Sequence, residues 1–446
     1  MLDALYTADE MRAAEAGRDV AELMARAGRA VAVEAMRAFP DAQAFTAVCG
    51  GGANGGDARI AADVLREAGR EVVVVDAKAG ETELGTPDVV IDGLFGTGFH
   101  GAPRADAASL IERINGLGAP VVAVDLPSAV NADTGEIDGA AVDAALTVTM
   151  HGPKVGLYVA PGRFHAGEIV VADIGLEPAA TAARLVTRDV LSLVPRKRAA
   201  DNKYTAGAVL VVGGAPGLTG ALCLAVEAAF RADAGYVIAC APRQSLPVLE
   251  QRLLEAVKRP LEDVLEAAER MGALALGPGL GRGDERRKLV RRLLDEVPLP
   301  AVVDADAFDG LEPFERDAPT VLTPHAGELA RLLGRESSWV SAHRLAALAA
   351  AVDRFRCVVL LKGADTLVGA PGEGVLVRPV NTPGLATAGT GDVLTGIVGA
   401  FLAKGLDART AAAAAATAHA LAAAHVTYKA GMVASDVIEH LPAVLA

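Results

Sequence analysis

The sequence predicts an α/β protein of two domains, each built on a parallel sheet with helices on both faces. Three observations predict it. The chain has 446 residues, too many for a single core when a domain takes roughly 150. Short β-branched runs alternate with amphipathic helical stretches almost throughout, the pattern of strands joined by crossover helices. That alternation pauses between Arg188 and Lys203, dividing the chain into residues 1–195 and 196–446.

In the first half, Thr46-Ala47-Val48-Cys49, Val72-Val73-Val74-Val75, Val89-Val90-Ile91 and Val121-Val122-Ala123-Val124 read as strands. The valine runs have the continuous apolar character of strands buried on both faces. Helical spacing begins at Ile60 and is clear across Ala61 to Ala68 and Ala107 to Asn115. The pause contains the basic stretch Pro195-Arg196-Lys197-Arg198. Beyond it Ala208-Val209-Leu210-Val211-Val212, Ala273-Leu274-Ala275-Leu276, Ala301-Val302-Val303 and Cys357-Val358-Val359-Leu360-Leu361 read as buried strands. The alanine-rich tract from Ala411 to His425 is too short and too weakly apolar for a membrane span, and reads as a helix packed closely against a sheet. No internal repeat or low-complexity linker is visible.

Hydrophobic residues make up 52% and charged residues 22% of the chain, which marks a folded globular protein. The formal net charge of −14 argues against nucleic acid or an anionic membrane as partner. It leaves room for small anions, since a few amides at a helix start hold a phosphate locally. The opening Met1-Leu2-Asp3-Ala4-Leu5-Tyr6 has no basic segment leading into an apolar run, so no signal peptide is expected. Cys49, Cys223, Cys240 and Cys357 show no CxxC spacing and read as buried, reduced thiols. A cytoplasmic protein is expected.

Ligands of open α/β sheets sit beyond the carboxyl ends of strands, so polar residues there are the first candidates. In the first half, the strand at Thr46–Cys49 runs into Gly50-Gly51-Gly52-Ala53-Asn54-Gly55-Gly56-Asp57. Glycines let amides approach a phosphate closely, although a tight turn alone would also use them. No GxxxxGK[ST] is present, which excludes a Walker loop. Val90-Ile91 leads to Asp92 and then to Phe95-Gly96-Thr97-Gly98. Val122-Ala123-Val124 leads to Asp125-Leu126-Pro127-Ser128, and His151-Gly152-Pro153-Lys154 adds a cation. One such carboxylate would be an ordinary helix cap; several at successive strand ends point to a site.

These segments resemble the NAD(P)H-hydrate epimerase family, as do the opening helices (Met11-Arg12 through Ala27-Gly28) and the closing Asp173-Ile174-Gly175. The resemblance implies a Rossmann-like three-layer domain. It implies that Ala53, Asn54, Gly55, Gly56 and Asp57 bind the hydrated nucleotide together with Gly96, Thr97, Gly98, Phe99, His100, Gly101, Ala102 and Asp125. Asn54, Asp92 and Ser128 would hold a potassium ion, oxygen ligands of this kind suiting a hard cation. Asp125 would be the acid/base residue and Lys154 its charged partner. Three positions depart from the pattern: Ala53 replaces an Asn, while Ala58 and Ala129 replace glycines.

In the second half, Asp201-Asn202-Lys203-Tyr204 precedes the first strand and Gly213-Gly214-Ala215-Pro216-Gly217-Leu218-Thr219-Gly220-Ala221 follows it. Gly277-Pro278-Gly279-Leu280-Gly281, Asp304-Ala305-Asp306-Ala307 and Thr323-Pro324-His325-Ala326-Gly327-Glu328 lie at further strand ends. Asn381-Thr382-Pro383-Gly384 is followed by Thr387-Ala388-Gly389-Thr390-Gly391-Asp392. Small residues entering a helix leave amides free to cradle a phosphoryl group. Asp392 then stands where a carboxylate accepts a hydroxyl proton during attack on phosphorus. Lys362, in Lys362-Gly363-Ala364-Asp365-Thr366, fits a phosphate contact as a point charge. His325 reads equally as a satisfied turn residue or as a substrate contact.

These motifs resemble, in family order, the ADP- or ATP-dependent NAD(P)H-hydrate dehydratases of the ribokinase-like superfamily, across essentially all of residues 200–446. The resemblance implies a three-layer α/β/α domain. It places Ala221, Gly279, His325 and Asp392 at the hydrate, and Lys362, Gly363, Ala364, Asp365, Thr366 and Gly391 at the adenine nucleotide, with Mg2+. Thr390 stands where Ser is common. Together the halves imply a homo-oligomeric enzyme acting on the small molecules NADHX and NADPHX, with ADP or ATP as co-substrate and K+ in the first half. Two rivals remain: a vitamin-precursor kinase of the same superfamily, and a first half that serves only as a binding module.

Overall fold

The computed structural model describes residues 2–380 and 382–446; Asn381 lies outside the described residues. The chain forms two compact units. One holds residues 4–184 and 341–344, the other residues 2–3, 185–340 and 345–446.

The first unit carries a six-stranded sheet in the order Glu71–Asp76, Ala44–Cys49, Val89–Gly93, Val121–Val124, Leu146–Met150, Glu168–Ala172. Every neighbouring pair is parallel. The expectation that Val72–Val75 is buried on both faces fails: Val73 is 50% exposed. This strand is the edge of the sheet, with a single neighbouring strand. The helix after the glycine run also begins earlier than its spacing suggests, spanning Ala53–Glu67 with Gly52 as N-cap. Asn54, Gly55, Gly56 and Asp57 are therefore helical, and the glycines that obscure the periodicity lie inside the first turns. Gly55 is required there because an added Cβ would overlap the Gly50 carbonyl oxygen.

The second unit's sheet has eleven strands in the order Leu2–Leu5, Ala183–Val186, Leu376–Pro379, Asp365–Gly369, Val358–Leu361, Thr320–Leu322, Ala301–Val303, Ala273–Leu276, Ala208–Val212, Tyr236–Ala241, Val257–Pro260. From Val358–Leu361 to Val257–Pro260 all pairs are parallel. Asp365–Gly369 pairs antiparallel with both its neighbours. The strand Ala183–Val186 and the turn Arg188–Leu193, assigned from sequence to the end of the first domain, contribute to this sheet and its core: Val186, Val190, Leu191 and Val194 are buried there. The alanine-rich helix spans Ala408–His425 and is buried along most of its length. Its small side chains let it lie close to the helix Thr390–Ala403.

Candidate active sites

In the first unit, Asp92, at the end of its strand, is fully buried. Its Oδ1 accepts from the Ser128 hydroxyl at 2.6 Å and the Leu94 amide at 3.2 Å, and its Oδ2 accepts from the Ser128 amide at 2.8 Å. Burial holds its carboxyl above the usual range, and these hydrogen bonds work against that. The Ser128 hydroxyl in turn accepts from the Phe95 amide at 2.8 Å, tying the Phe95–Gly98 turn to this pair. Asn54 joins the same place, its amide nitrogen donating to the carbonyls of Val124 at 2.6 Å and Phe95 at 3.3 Å. Gly96 makes room, since a Cβ there would overlap the Asn54 amide oxygen.

A cavity of 790 Å³ opens above these turns. Ala53, Asn54, Gly55, Gly96, Thr97, Gly98, Phe99, His100 and Ala102 line it; Gly56, Asp57, Gly101 and Asp125 do not. Asp125 belongs to a second cluster. Its Oδ1 accepts from the Lys154 ammonium, from Thr149 Oγ1 at 3.0 Å and from the Met150 amide at 3.0 Å. The Lys154 side chain is fully buried and also donates to Thr149 Oγ1 at 3.1 Å and the Met150 carbonyl at 3.0 Å. Asp125 has φ 67°, Ala129 φ 72° and His151 φ 63°. Three non-glycine residues in the left-handed region mark stored backbone strain. Ala129 thus stands where glycine would relax the turn. Ala58 is tolerated because its neighbour is Gly93, where an added Cβ would come within 2.5 Å of the Ala58 methyl. Thr149 escaped the sequence reading; its place in the strand Leu146–Met150, just before the His151–Lys154 turn, was the available signal.

In the second unit, the helix Thr390–Ala403 starts from Gly389 at φ 91°, without a side-chain cap. The Thr390 amide donates to the Thr387 carbonyl at 3.4 Å, and the lack of a side-chain cap leaves the amides that follow it in the first turn as the anion-hole candidates. Asp392 lies in this first turn. Burial, then the neighbouring Asp304, push its carboxyl up to about 7, with Lys362 acting against them. Asp304 is 1% exposed. Its Oδ1 accepts from Lys362 Nζ at 2.8 Å and its Oδ2 from Thr395 Oγ1 at 2.7 Å. Glu328 stands 3.8 Å from the same ammonium. Burial would lower the Lys362 pKa, yet Asp304 and Glu328 win and raise it. Gly391 faces the cluster, a Cβ there falling 3.3 Å from Lys362 Nζ.

Lys362, Gly391 and Asp392 therefore come together, and Asp304, Glu328 and Thr395 complete a network whose pairing was not legible in sequence. Ala221 and Gly279 also meet, at 3.1 Å between the Ala221 methyl and a Cβ built on Gly279, whose φ is 60°. Asp365 and Thr366 are buried at the head of a hairpin strand, opposite Pro379 and Arg378. Gly363 and Ala364 form the turn before it, with the Ala364 carbonyl accepting from the Val380 amide at 2.8 Å. His325 caps the helix Ala326–Leu333: its Nδ1 accepts from the amides of Gly327 at 3.0 Å and Glu328 at 3.4 Å. That fixes the proton on Nε2 in the neutral ring, and burial lowers the pKa against the pull of Glu328. Asp306 clamps a loop, accepting from the Gly281 amide and the Arg282 side chain. Lys203 packs over the rings of Tyr204 and Tyr236, so the Asn-Lys-Tyr motif is accounted for by local structure.

Two parallel-sheet units, each with polar side chains gathered at strand ends and one with an uncapped helix start facing a carboxylate, define a two-part nucleotide-handling enzyme. The comparisons with known proteins are more specific. Residues 209–443 match the NAD(P)H-hydrate dehydratase family, and residues 20–84 and 76–156 match the YjeF-related protein N-terminus family. A bifunctional NAD(P)H-hydrate repair enzyme from Moorella thermoacetica is 38% identical, covering 89% of this chain and 86% of its own. That of Coxiella burnetii is 35% identical over 97% of this chain and 96% of its own. The crystal structure of an ADP/ATP-dependent NAD(P)H-hydrate dehydratase from Bacillus subtilis, co-crystallised with ATP and Mg2+, superposes with a TM-score of 0.55 at 27% identity, over 58% of this chain and 96% of that one. The chain belongs to the bifunctional NAD(P)H-hydrate repair enzyme family.

Proposed function

We propose that the second unit dehydrates S-NAD(P)HX to NAD(P)H at the expense of ADP or ATP, and that the first unit converts the R epimer to S. The observation that carries the reading is Asp392, poised near neutrality in the first turn of an uncapped helix beside the Lys362–Asp304 pair. Hydroxide leaves poorly, so the C6 hydroxyl is first phosphorylated. Asp392 takes the hydroxyl proton as that oxygen attacks the terminal phosphorus. The amides of the first helical turn, near Gly391, would steady the transferring phosphoryl group, and Lys362, held in place by Asp304, would offer it a positive charge. The ring-nitrogen lone pair then expels phosphate, leaving NAD(P)H, with AMP from ADP or ADP from ATP. Magnesium, bound with the nucleotide, would neutralise charge on its phosphates.

In the first unit, Asp92 is a fully buried carboxylate with no lysine or arginine ion pair among the described residues. An oxygen-lined place with an uncompensated negative charge suits a monovalent cation, and Asn54, Asp92 and Ser128 are the residues we assign to potassium. The ion would supply fixed positive charge beneath the nucleotide turn. Asp125, oriented by Lys154 and Thr149, is the acid/base group. The compartment we propose is the cytoplasm, on the strength of four free cysteines; among the described residues no helix is long and apolar enough to cross a membrane.

The test supplies mixed R- and S-NADHX with ADP or ATP and follows recovery of NADH absorbance. Asp392→Asn should abolish recovery, while Asp125→Asn should turn over the S portion and strand the R portion. Recovery persisting in Asp392→Asn would remove that residue as the base.

A further inference from the structure

The first unit contains a buried carboxyl that the acid/base scheme above leaves without work. Asp57, on the helix Ala53–Glu67, is 7% exposed, and its Oδ1 has no hydrogen-bond partner among the described residues. It sits one turn beyond Ala53, Asn54 and Gly55, which line the cavity, and it feels the carboxylates of Asp125 and of Glu15 at the end of the helix Ala8–Glu15. The charged groups around it are therefore of its own sign. Lys154, the nearby cation, is spent on Asp125. The helix Val20–Ala38 presents only Met24 and Gly28 to this turn, and on the sheet side Asp92 is bonded to Ser128.

A buried carboxyl with an orphan oxygen and two like charges nearby is least costly when it keeps its proton. Burial first, then Asp125 and Glu15, raise Asp57 to about 7. Asp125 has the opposite surroundings: three donors converge on one of its oxygens. A carboxyl with an orphan oxygen near one that already accepts three hydrogen bonds can divide the roles of acid and base.

We propose that Asp57 is the proton donor of the epimerisation, acting opposite Asp125 as the base; this rests on the reading of Asp125 given above. The epimerised carbon carries a hydroxyl and adjoins the ring nitrogen. Asp57 gives its proton to the hydroxyl oxygen as the C–O bond breaks, so that water leaves, and the nitrogen lone pair closes a C=N bond. Water then adds to the opposite face. A new C–O bond forms, Asp125 takes the proton that this water sheds, and the C=N electron pair returns to nitrogen. The net transfer of one proton from Asp57 to Asp125 is reversed through the carboxyl cluster before the next turnover.

The experiment measures R-to-S conversion by the full chain, separating the epimers chromatographically, for the wild type, Asp57→Asn and Asp57→Glu. Loss of a general acid predicts a fall in kcat of roughly a hundredfold or more in Asp57→Asn, with KM little changed, S-NADHX turnover intact and partial rescue by Glu. Wild-type kcat should decline above about pH 7, and the residual rate of Asp57→Asn should lack that decline. In water labelled at oxygen, each conversion should place one label in the product. A raised KM with unchanged kcat, or a pH profile shared by Asp57→Asn and the wild type, would overturn the proposal, as would unlabelled product. Full activity of Asp125→Asn would overturn the reading of that residue as the base, an outcome distinct from full activity of Asp57→Asn, which removes the donor alone. Because S turnover reports only on the second unit, an unchanged thermal unfolding profile and far-UV circular dichroism spectrum of each variant guard against misfolding of the first unit as the cause of a loss.

Discussion

Asp392 is a carboxylate that its surroundings make costly to ionise. Its folded value of about 7 lies above the ordinary 3.8, so the native state binds a proton that the unfolded chain has shed. Stability linked to this group is therefore present at low pH and lost as pH rises from about 4 through about 7. Asp392→Asn should raise the apparent Tm at pH 8 while abolishing dehydration, the trade expected where function holds a strained charge. Activity has the opposite sense, because the base must be ionised. In the wild type, kcat/KM for S-NADHX should fall about tenfold per pH unit below pH 7; a flat profile from pH 5 to 8 would exclude a single titrating base at this position. Ala129, at φ 72°, offers a second check. Ala129→Gly should stabilise the chain by about 1 kcal/mol, since left-handed backbone costs an alanine roughly that much more than a glycine. Denaturant unfolding of the two proteins would measure it.

The Phe95–Gly98 turn needs glycine at position 96. Gly96→Ala would force the Asn54 amide away from the carbonyls of Val124 and Phe95. R-to-S conversion and any potassium dependence should fall together, with S turnover retained, in an assay across KCl concentrations. The turns were legible because a buried strand ending in glycines and a carboxylate has a physical rationale that spacing alone conveys. Their start points were not: Ala53–Glu67 begins amid four residues with no apolar periodicity, and helical phase is read only where hydrophobic residues recur. Nor could periodicity distinguish the exposed edge run at Val72–Val75 from the central strands, because edge or centre is decided by strand order.

At the scale of the whole chain, the division of the structure lies near Arg184, and the segment that follows supplies Val186, Val190, Leu191 and Val194 to the second unit's core. A chain starting at Ala183 should therefore be markedly more stable than one starting at Arg196. The difference should reach several kcal/mol, with each buried aliphatic side chain contributing about 1.5–3 kcal/mol. Equal thermal midpoints for the two would show that these residues add nothing. The proline-containing basic stretch looked like a boundary because it interrupts periodicity, but a unit's limits follow where buried surface closes, and four scattered aliphatic residues give little local sign of that.

By itself the sequence determined the two parallel-sheet halves, the strand ends where chemistry gathers, and the residue types at them: Asp392 after a small-residue helix start, Asp125 and Lys154 in one half, Lys362 in the other. Only the tertiary structure decided the partners. Lys362 is held by Asp304, 58 residues away, and Asp304 also by Thr395; Asp57, near Asp125 and Glu15, keeps its Oδ1 without a hydrogen-bond partner among the described residues. The reason is that a residue's proton affinity depends on burial and on charges brought near it by distant segments. Local spacing carries the shape of a turn, but not the electric field into which the rest of the fold places it.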